Sequence, residues 1–304
     1  MLCSFARIFP TEVERFLAKD RQLRRHIREE TITDLLVGGI LGISAPNLVV
    51  DFSDEVATGA DMEWIFYDAS AKKYIRIFIQ AKRSFGSGKY WQRHSLRELF
   101  HRTKSNNVLQ SNVLASCAKK FGRSSYPLYF VYNPELTCSL ARSDGVKNIA
   151  GVNLMDGYLM NFFVNAAPFL KVPHQAKSLK MLHWHFKPLS VLLCQQSLQR
   201  GIVSGPMALS PGEGGLGTFL RKGKIAQSIP TPSAVLGQLL EIRRQAIDFA
   251  ERAQFPDTVI SNVPPIPELS GDLPQYVENL IEGRSAGEKD AKLSVVFISQ
   301  SLAS

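Results

Sequence analysis

The stretch Tyr74–Arg83, YIRIFIQAKR, decides how the chain is read. Side chains of a strand alternate between its two faces. Ile75, Ile77, Ile79 and Ala81 therefore share one face, while Arg76, Phe78, Gln80 and Lys82 share the other. The apolar face belongs to a core. The opposite face ends with an amide and an ammonium side by side, so it is either a solvated polar surface or a surface that performs chemistry.

The flanking sequence builds an α/β pattern around this strand. Asp61–Tyr67, DMEWIFY, is a second strand rich in aromatic and apolar residues, and Ala69–Lys73 is a turn, so the two form a hairpin. Asn47–Asp51 reads as a short strand, and Tyr126–Tyr132, YPLYFVY, as a buried one. Pro10 followed by Thr11-Glu12-Val13-Glu14 matches a capping box and predicts a helix start. A second helix is expected over Glu29–Leu41. After a loop at Ser84–Gly88, the apolar positions Leu96, Leu99, Phe100, Val108, Leu109, Val113, Leu114 and Cys117 predict a long basic helix, broken near Ser105.

The second half is less regular. Strands are expected at Asn148–Met155 and Leu179–Phe186, and a helix at Pro188–Leu198. Gly201–Lys224 is glycine-rich, Val235–Ala253 is an amphipathic helix, and Pro256–Pro274 is a proline-rich linker. Gly287–Ser304 is a loose tail or a late strand. The division implied is residues 1–200 as the main domain and 201–304 as a partly irregular, helix-containing C-terminal region, with its amphipathic helix at about 235–253.

Among 304 residues, 45% are hydrophobic and 21% charged, the balance of a soluble globular protein. The longest apolar run, Leu35–Ile43, falls far short of the ~20 residues of a membrane helix. The N-terminus lacks the long apolar segment of a signal peptide. Cys3, Cys117, Cys138 and Cys194 are widely spaced with no CxxC pair, which suits a reducing cytoplasm better than a disulfide framework. Charge is concentrated. Residues 71–123 hold 13 Lys and Arg against one acid, Glu98, so this segment is +12 in a chain of net +9. Such a block is the footprint of a phosphate-backbone binder.

Four pieces come together as a motif. The helix brings Glu29 and Glu30, with Thr33 and Asp34 one turn beyond Glu30. GAD at Gly59–Asp61 opens one strand, with Glu63 two residues on; QAK at Gln80–Lys82 closes the next; the basic segment follows. This order resembles the restriction-endonuclease-like PD-(D/E)XK superfamily, in the QxK variant found among Mrr-like restriction nucleases. The string EETITDLL…TGADMEW…IQAKR…PLYFVYN is similar to a bacterial group within it, over about residues 25–135.

The resemblance implies a central mixed β-sheet flanked by helices and a nuclease requiring Mg²⁺ or Mn²⁺, acting on DNA ahead of RNA. It implies a role in bacterial genome defence or a mobile element. Hydrolysis of a phosphodiester calls for a divalent ion that polarises a phosphoryl oxygen and lowers the pKa of water, and Mg²⁺ takes oxygen ligands. By resemblance Asp61 is the central ligand, joined by Glu30, Gln80 and the Ala81 carbonyl, and Lys82 orients the nucleophilic water. Glu63, Glu29 and Asp34 are lesser candidates. Arg83, Lys89, Arg93, Arg97, Arg102 and Lys104 are expected on the nucleic acid, and Tyr90 and Trp91 could stack on the strand being cut.

Two departures matter: Ala60 stands where the motif has proline, and Gln80 replaces an acid, which removes one negative charge and predicts weaker metal binding. An RNA-cleaving toxin and a non-catalytic nucleic-acid binder on a decayed nuclease scaffold stay open. So do a regulatory protein partner and a homo-oligomer; a membrane partner is not expected. His183 and His185 in LHWHF read as packing rather than zinc ligands. GEGGLGTF, Gly212–Phe219, reads as a flexible loop, with Arg221, Lys222 and Lys224 near a nucleic-acid backbone.

Overall fold

The computed structural model describes residues 1–23, 26–44, 47–52, 58–86, 89–103, 107–194, 229–252, 266–284 and 293–299. The helices are α1 (Leu2–Ala18), α2 (Asp20–Leu23), α3 (Glu29–Ser44), α4 (Gln110–Lys120), α5 (Glu135–Ser143) and α6 (Gly157–Ala166). They continue as α7 (Leu179–Leu182), α8 (Ser190–Leu193), α9 (Pro232–Arg252) and α10 (Gln275–Ile281). The strands are β1 (Leu48–Phe52), β2 (Met62–Asp68), β3 (Lys73–Arg83), β4 (Ser125–Tyr132), β5 (Val152–Asp156), β6 (Lys187–Pro188) and β7 (Leu293–Ser299).

They form one mixed sheet in the order β1-β7-β2-β3-β4-β5-β6. The β2–β3 hairpin is antiparallel, and β3 runs parallel to β4. The hairpin turn is set by Asp68, whose Oδ1 accepts the backbone N–H groups of Ser70 (2.9 Å) and Ala71 (3.0 Å).

The last strand changes the domain picture. β7 lies between β1 and β2, antiparallel to the first and parallel to the second. Phe297 on β7 stacks on Phe66 at 4.5 Å, and Trp64 packs edge-on against Phe297 and Phe130. α9 packs across β2, β3 and β5. Residues 1–200 and 201–304 therefore share a sheet, and the late strand, LSVVFIS, is buried in its middle.

Both faces of β3 are covered. Every residue from Tyr74 to Arg83 is buried, so Gln80 and Lys82 do not stand on a solvated polar surface. α3 packs on one side of β3 through Ile32, Leu36, Val37 and Ile40, and α4 packs on the strand with its neighbour β4. On the Gln80 face, Arg76 is fully enclosed. Its guanidinium lies over the rings of Phe78 (4.4 Å) and Phe121 (4.2 Å) and pairs with Glu63.

Several local expectations are corrected. α1 begins at Leu2 and carries Pro10 inside it, because Phe5, Phe9, Val13 and Leu17 form one buried stripe that extends across the proline. The long basic helix does not form: residues 91–93 and 97–100 are short 3₁₀ turns, Arg102 bridges Leu109, and helix exists only from Gln110. Leu179–Phe186 is helical turn rather than strand. α5 and α6, which follow β4 and β5, were not expected. α6 is apolar nearly all round and buried, so its pattern lacks a polar face to announce a helix.

Cys3 and Cys194 form a disulfide that ties α1 to the residue after α8, against the expectation of free thiols; Cys117 and Cys138 are not in disulfides. A separation of 191 residues hides this pair from any spacing pattern. Among the described residues no helix is long and apolar enough to cross a membrane.

Candidate active site

The site is built where β3 outruns its hairpin partner. β2 begins at Met62, opposite Ile79, so among the described residues the last four of β3 have no strand partner on that side. Even-numbered N–H groups at the two ends of this stretch face β4: Arg76 donates to Ser124 and Ser84 to Tyr132. The odd-numbered ones at 81 and 83 face the open side, where unpaired buried donors are costly.

Two carboxylates satisfy them. Asp61 Oδ2 accepts from Ala81 N at 2.8 Å, and Glu29 Oε1 accepts from Arg83 N at 3.0 Å. Acidic residues at these two positions thus complete the strand edge with side chains instead of backbone.

The loop before β2 aims Asp61. Gly59 has φ +70, which favours glycine, and a Cβ there would lie 3.2 Å from Val113 and 3.4 Å from the Gln110 carbonyl. Ala60 N donates to the Thr58 hydroxyl at 3.3 Å, and Asp61 N to the Ile79 carbonyl at 2.9 Å. The TGAD sequence therefore presses the loop against the start of α4 and delivers the carboxylate to the end of β3.

Gln80 lies on the same corner. Its Nε2 donates to Asp61 Oδ2 and, at 3.4 Å, to the Ala81 carbonyl. Its Oε1 is buried with no hydrogen-bond partner among the described residues. Amide O and N positions are interchangeable by a half-turn. The NH₂ thus occupies the point on which a carboxylate oxygen and a backbone carbonyl already converge, while the amide oxygen is left unsatisfied. These donors fit a hard divalent cation: the half-turn would offer it three oxygens, from Asp61, Gln80 and Ala81. Among the described residues no three His, Cys, Asp or Glu side chains are gathered as a metal site, so only one member of this set is anionic.

Lys82, 6% exposed, sits on the Gln80 face and donates from Nζ to Gln110 Oε1 at 3.0 Å. Gln110, the first residue of α4, went unnoticed in the sequence because it opens a helix otherwise defined by its apolar stripe.

Glu30, expected as a ligand, is exposed; its neighbour Glu29 is half-buried and turned to the strand. Asp34 is exposed as well, and its charge acts on the Tyr132 phenol. Burial pushes the Tyr132 phenol well above its usual range; the Thr33 hydroxyl, 3.1 Å away, opposes this, and the charges of Asp61, Glu29 and Asp34 add to it. Tyr129 is raised by burial and then by Asp61. Both phenols stay protonated beneath the acids.

Glu63 is not at this corner. It is 0% exposed, pairs with Arg76, and accepts from Tyr276 (2.7 and 2.8 Å) and Ser294 (3.1 Å). Its role is to tie β2, β3, β7 and α10 together.

The basic segment divides. Of its 13 cations, Arg76, Lys82 and Arg83 are buried, Lys104 lies outside the described residues, and the other nine are exposed. Arg83 is held by Asp20 and by the Ile27 carbonyl at 2.6 Å, so it is not available to a phosphate backbone. Lys72 and Lys73 stand at the start of β3, whereas Lys89, Arg93, Arg97 and Arg102 follow its end. The strand between is about 33 Å long, so the block does not make one continuous stripe. Gly212–Phe219, Arg221, Lys222 and Lys224 lie outside the described residues.

Trp91 is buried, its Nε1 donating to Asp144 at 2.6 Å, and cannot stack on a ligand, whereas Tyr90 is exposed beneath the Arg93 guanidinium. His183 and His185 belong to aromatic packing. His183 contacts Trp91, and His185 contacts Phe163 and Phe249.

A family model described as a family of unknown function, DUF6615, matches residues 2–303, and the chain belongs to that family. Searches of curated proteins and of solved structures return no match.

Proposed function

We propose that this member of DUF6615 is a divalent-metal-dependent nuclease on a restriction-endonuclease-like core, acting on DNA ahead of RNA. The carrying observation is the meeting of the Asp61 carboxylate, the Gln80 amide and the Ala81 carbonyl at the end of β3 that extends beyond β2. Mg²⁺ or Mn²⁺ bound there would supply a polarised phosphoryl oxygen and a more acidic water.

The chain's own residues have separable tasks. Asp61 contributes the single negative charge and holds the strand edge through Ala81 N. Gln80 contributes a neutral oxygen, so the site binds its cation more weakly than one with two acids. Lys82, held by Gln110, is placed on the Gln80 face to orient the attacking water and offset charge developing on the phosphate. Glu29 fixes the end of the strand through Arg83 N and is a better candidate than Glu30 for an outer contact through water. The exposed cations beyond the strand end, Lys89, Arg93, Arg97 and Arg102, supply attraction for a polyanion.

A second reading, a nucleic-acid binder without catalysis, is favoured by one observation: a single carboxylate stands at the corner. Incubation of the protein with supercoiled plasmid, linear DNA and total RNA, each with Mg²⁺, Mn²⁺ or EDTA, separates the two. Metal-dependent cleavage supports the nuclease, and its substrate separates a DNA enzyme from an RNA-cleaving toxin. Binding without cleavage under all three conditions supports the alternative.

A further inference from the structure

Trp184 is 74% exposed and Tyr90 57% exposed, two of the most open large hydrophobic side chains described. Burying either would be favourable by about 25 cal/mol per Å² of apolar surface, yet the fold holds them out. Neither is loosely placed. The Trp184 ring lies on His183 at 4.3 Å, and His183 meets the edge of Trp91 at 5.1 Å. Trp91 is anchored by Asp144, and the His183 carbonyl accepts from the Asn148 amide. Tyr90 is the residue before Trp91, so the second exposed ring stands next in the chain to this buried stack.

A cation lies on one of them. Arg93 sits over the Tyr90 ring at 5.1 Å. Two segments join here, because Leu96 N donates to the Lys177 carbonyl and Leu179 N to the His94 carbonyl, both at 2.9 Å. The second segment carries a signal that the sequence reading passed over: residues 157–194 contain Lys171, Lys177, Lys180 and Lys187 and no acid. Lys171 and Lys180 are exposed, as are Arg93 and Arg97 on the first segment.

We infer that this surface is a stacking platform for single-stranded nucleic acid: unpaired bases lie on Trp184 and Tyr90 while Arg93, Arg97, Lys171 and Lys180 meet the phosphates. Rigid exposed aromatics among cations suit unpaired bases, whose faces are hidden in a duplex. The inference rests on the nuclease proposal for its purpose, naming the strand form that the enzyme engages, but the binding itself needs no metal.

The test is binding of labelled 20-mers of dT and of U, and of a duplex of equal length, followed by anisotropy in EDTA so that no cleavage occurs. Single strands are expected to bind at least about 10-fold tighter than duplex, and Trp184→Ala and Tyr90→Ala each to weaken them about 5- to 100-fold. Trp184→Phe, which keeps a ring face, should retain most of the affinity. Trp64 and Trp91 are buried, so quenching of intrinsic fluorescence by an unlabelled strand reports Trp184. Unchanged thermal midpoints establish that the variants are folded.

Duplex binding as tight as single-strand binding, with both alanine variants unaffected, overturns the inference. So does binding only to vesicles of anionic phospholipid, which would make the patch a membrane contact. Failure of metal-dependent cleavage with the platform intact would remove the nuclease proposal and leave this one standing.

Discussion

Asp61 and Ala81 are joined across the open edge of the sheet: the Asp61 carboxylate takes the backbone N–H that β2 would have taken had it been longer. The same oxygen receives the Gln80 amide. A structural requirement, capping a strand edge, and a chemical one, presenting an anionic oxygen, thus fall on one side chain. That coupling sets what each substitution should do.

Gln80→Glu places a second carboxylate against Asp61 at a position that is 1% exposed. Like charges in a buried site repel, so the metal-free protein should unfold at a lower temperature than wild type. Added Mg²⁺ should raise its midpoint more than it raises that of wild type, because a ligand that binds only the folded state stabilises it in proportion to affinity. Thermal unfolding with and without Mg²⁺ measures both. An equal metal response in the two proteins would place Gln80 away from the ion.

Glu63→Ala should weaken the fold rather than the chemistry. It removes the acid that pairs with the buried Arg76 guanidinium, a change costing about 3–5 kcal/mol. Replacing the pair by Glu63→Leu with Arg76→Met should recover much of this loss. Urea unfolding gives the stabilities. A variant with wild-type stability and no cleavage would return Glu63 to the active site.

Stability should fall on acidification in a window belonging to His185. Burial pushes its pKa down from 6.5 to about 4, helped by the charge of Lys187. The unfolded chain binds the proton first, so stability is full above about pH 6.5 and declines as pH falls toward 4. By linkage the shift corresponds to a loss of roughly 3 kcal/mol. His185→Phe, among Phe163 and Phe249, should flatten urea midpoints between pH 6.5 and 4. An unchanged slope in that variant would assign the loss to other groups.

Much of the hairpin was legible because it is local. DMEWIFY and YIRIFIQAKR carry β-rich composition, Ile75, Ile77 and Ile79 alternate with Arg76, Phe78 and Gln80, and the GAD and QAK elements sit at strand ends. What escaped depends on distant partners. Nothing near Leu293–Ser299 says that it lies between β1 and β2, since its neighbours are more than 200 residues away. The choice of Glu29 over Glu30 depends on the rotation of α3 about its axis, which Thr33 and Tyr132 reveal only in three dimensions. The basic segment showed helical spacing, yet residues 91–100 hydrogen-bond to Phe85 and to 177–179 and give up the helix for that docking. Glu63 pairs with buried Arg76 away from the Asp61 corner, a partner that alternation alone could not foresee.

The most direct measurement is single-turnover cleavage by wild type, Asp61→Ala and Lys82→Ala across a Mg²⁺ titration, with EDTA as the zero point. The substrate is whichever nucleic acid the wild type degrades. Wild type should cleave with a rate that rises and saturates with Mg²⁺. Asp61→Ala should show no metal-dependent rate, and Lys82→Ala should be slower by about 100-fold or more at saturation. Cleavage by Asp61→Ala equal to that of wild type, or wild-type cleavage that persists undiminished in EDTA, would contradict the assignment of this corner as the metal site.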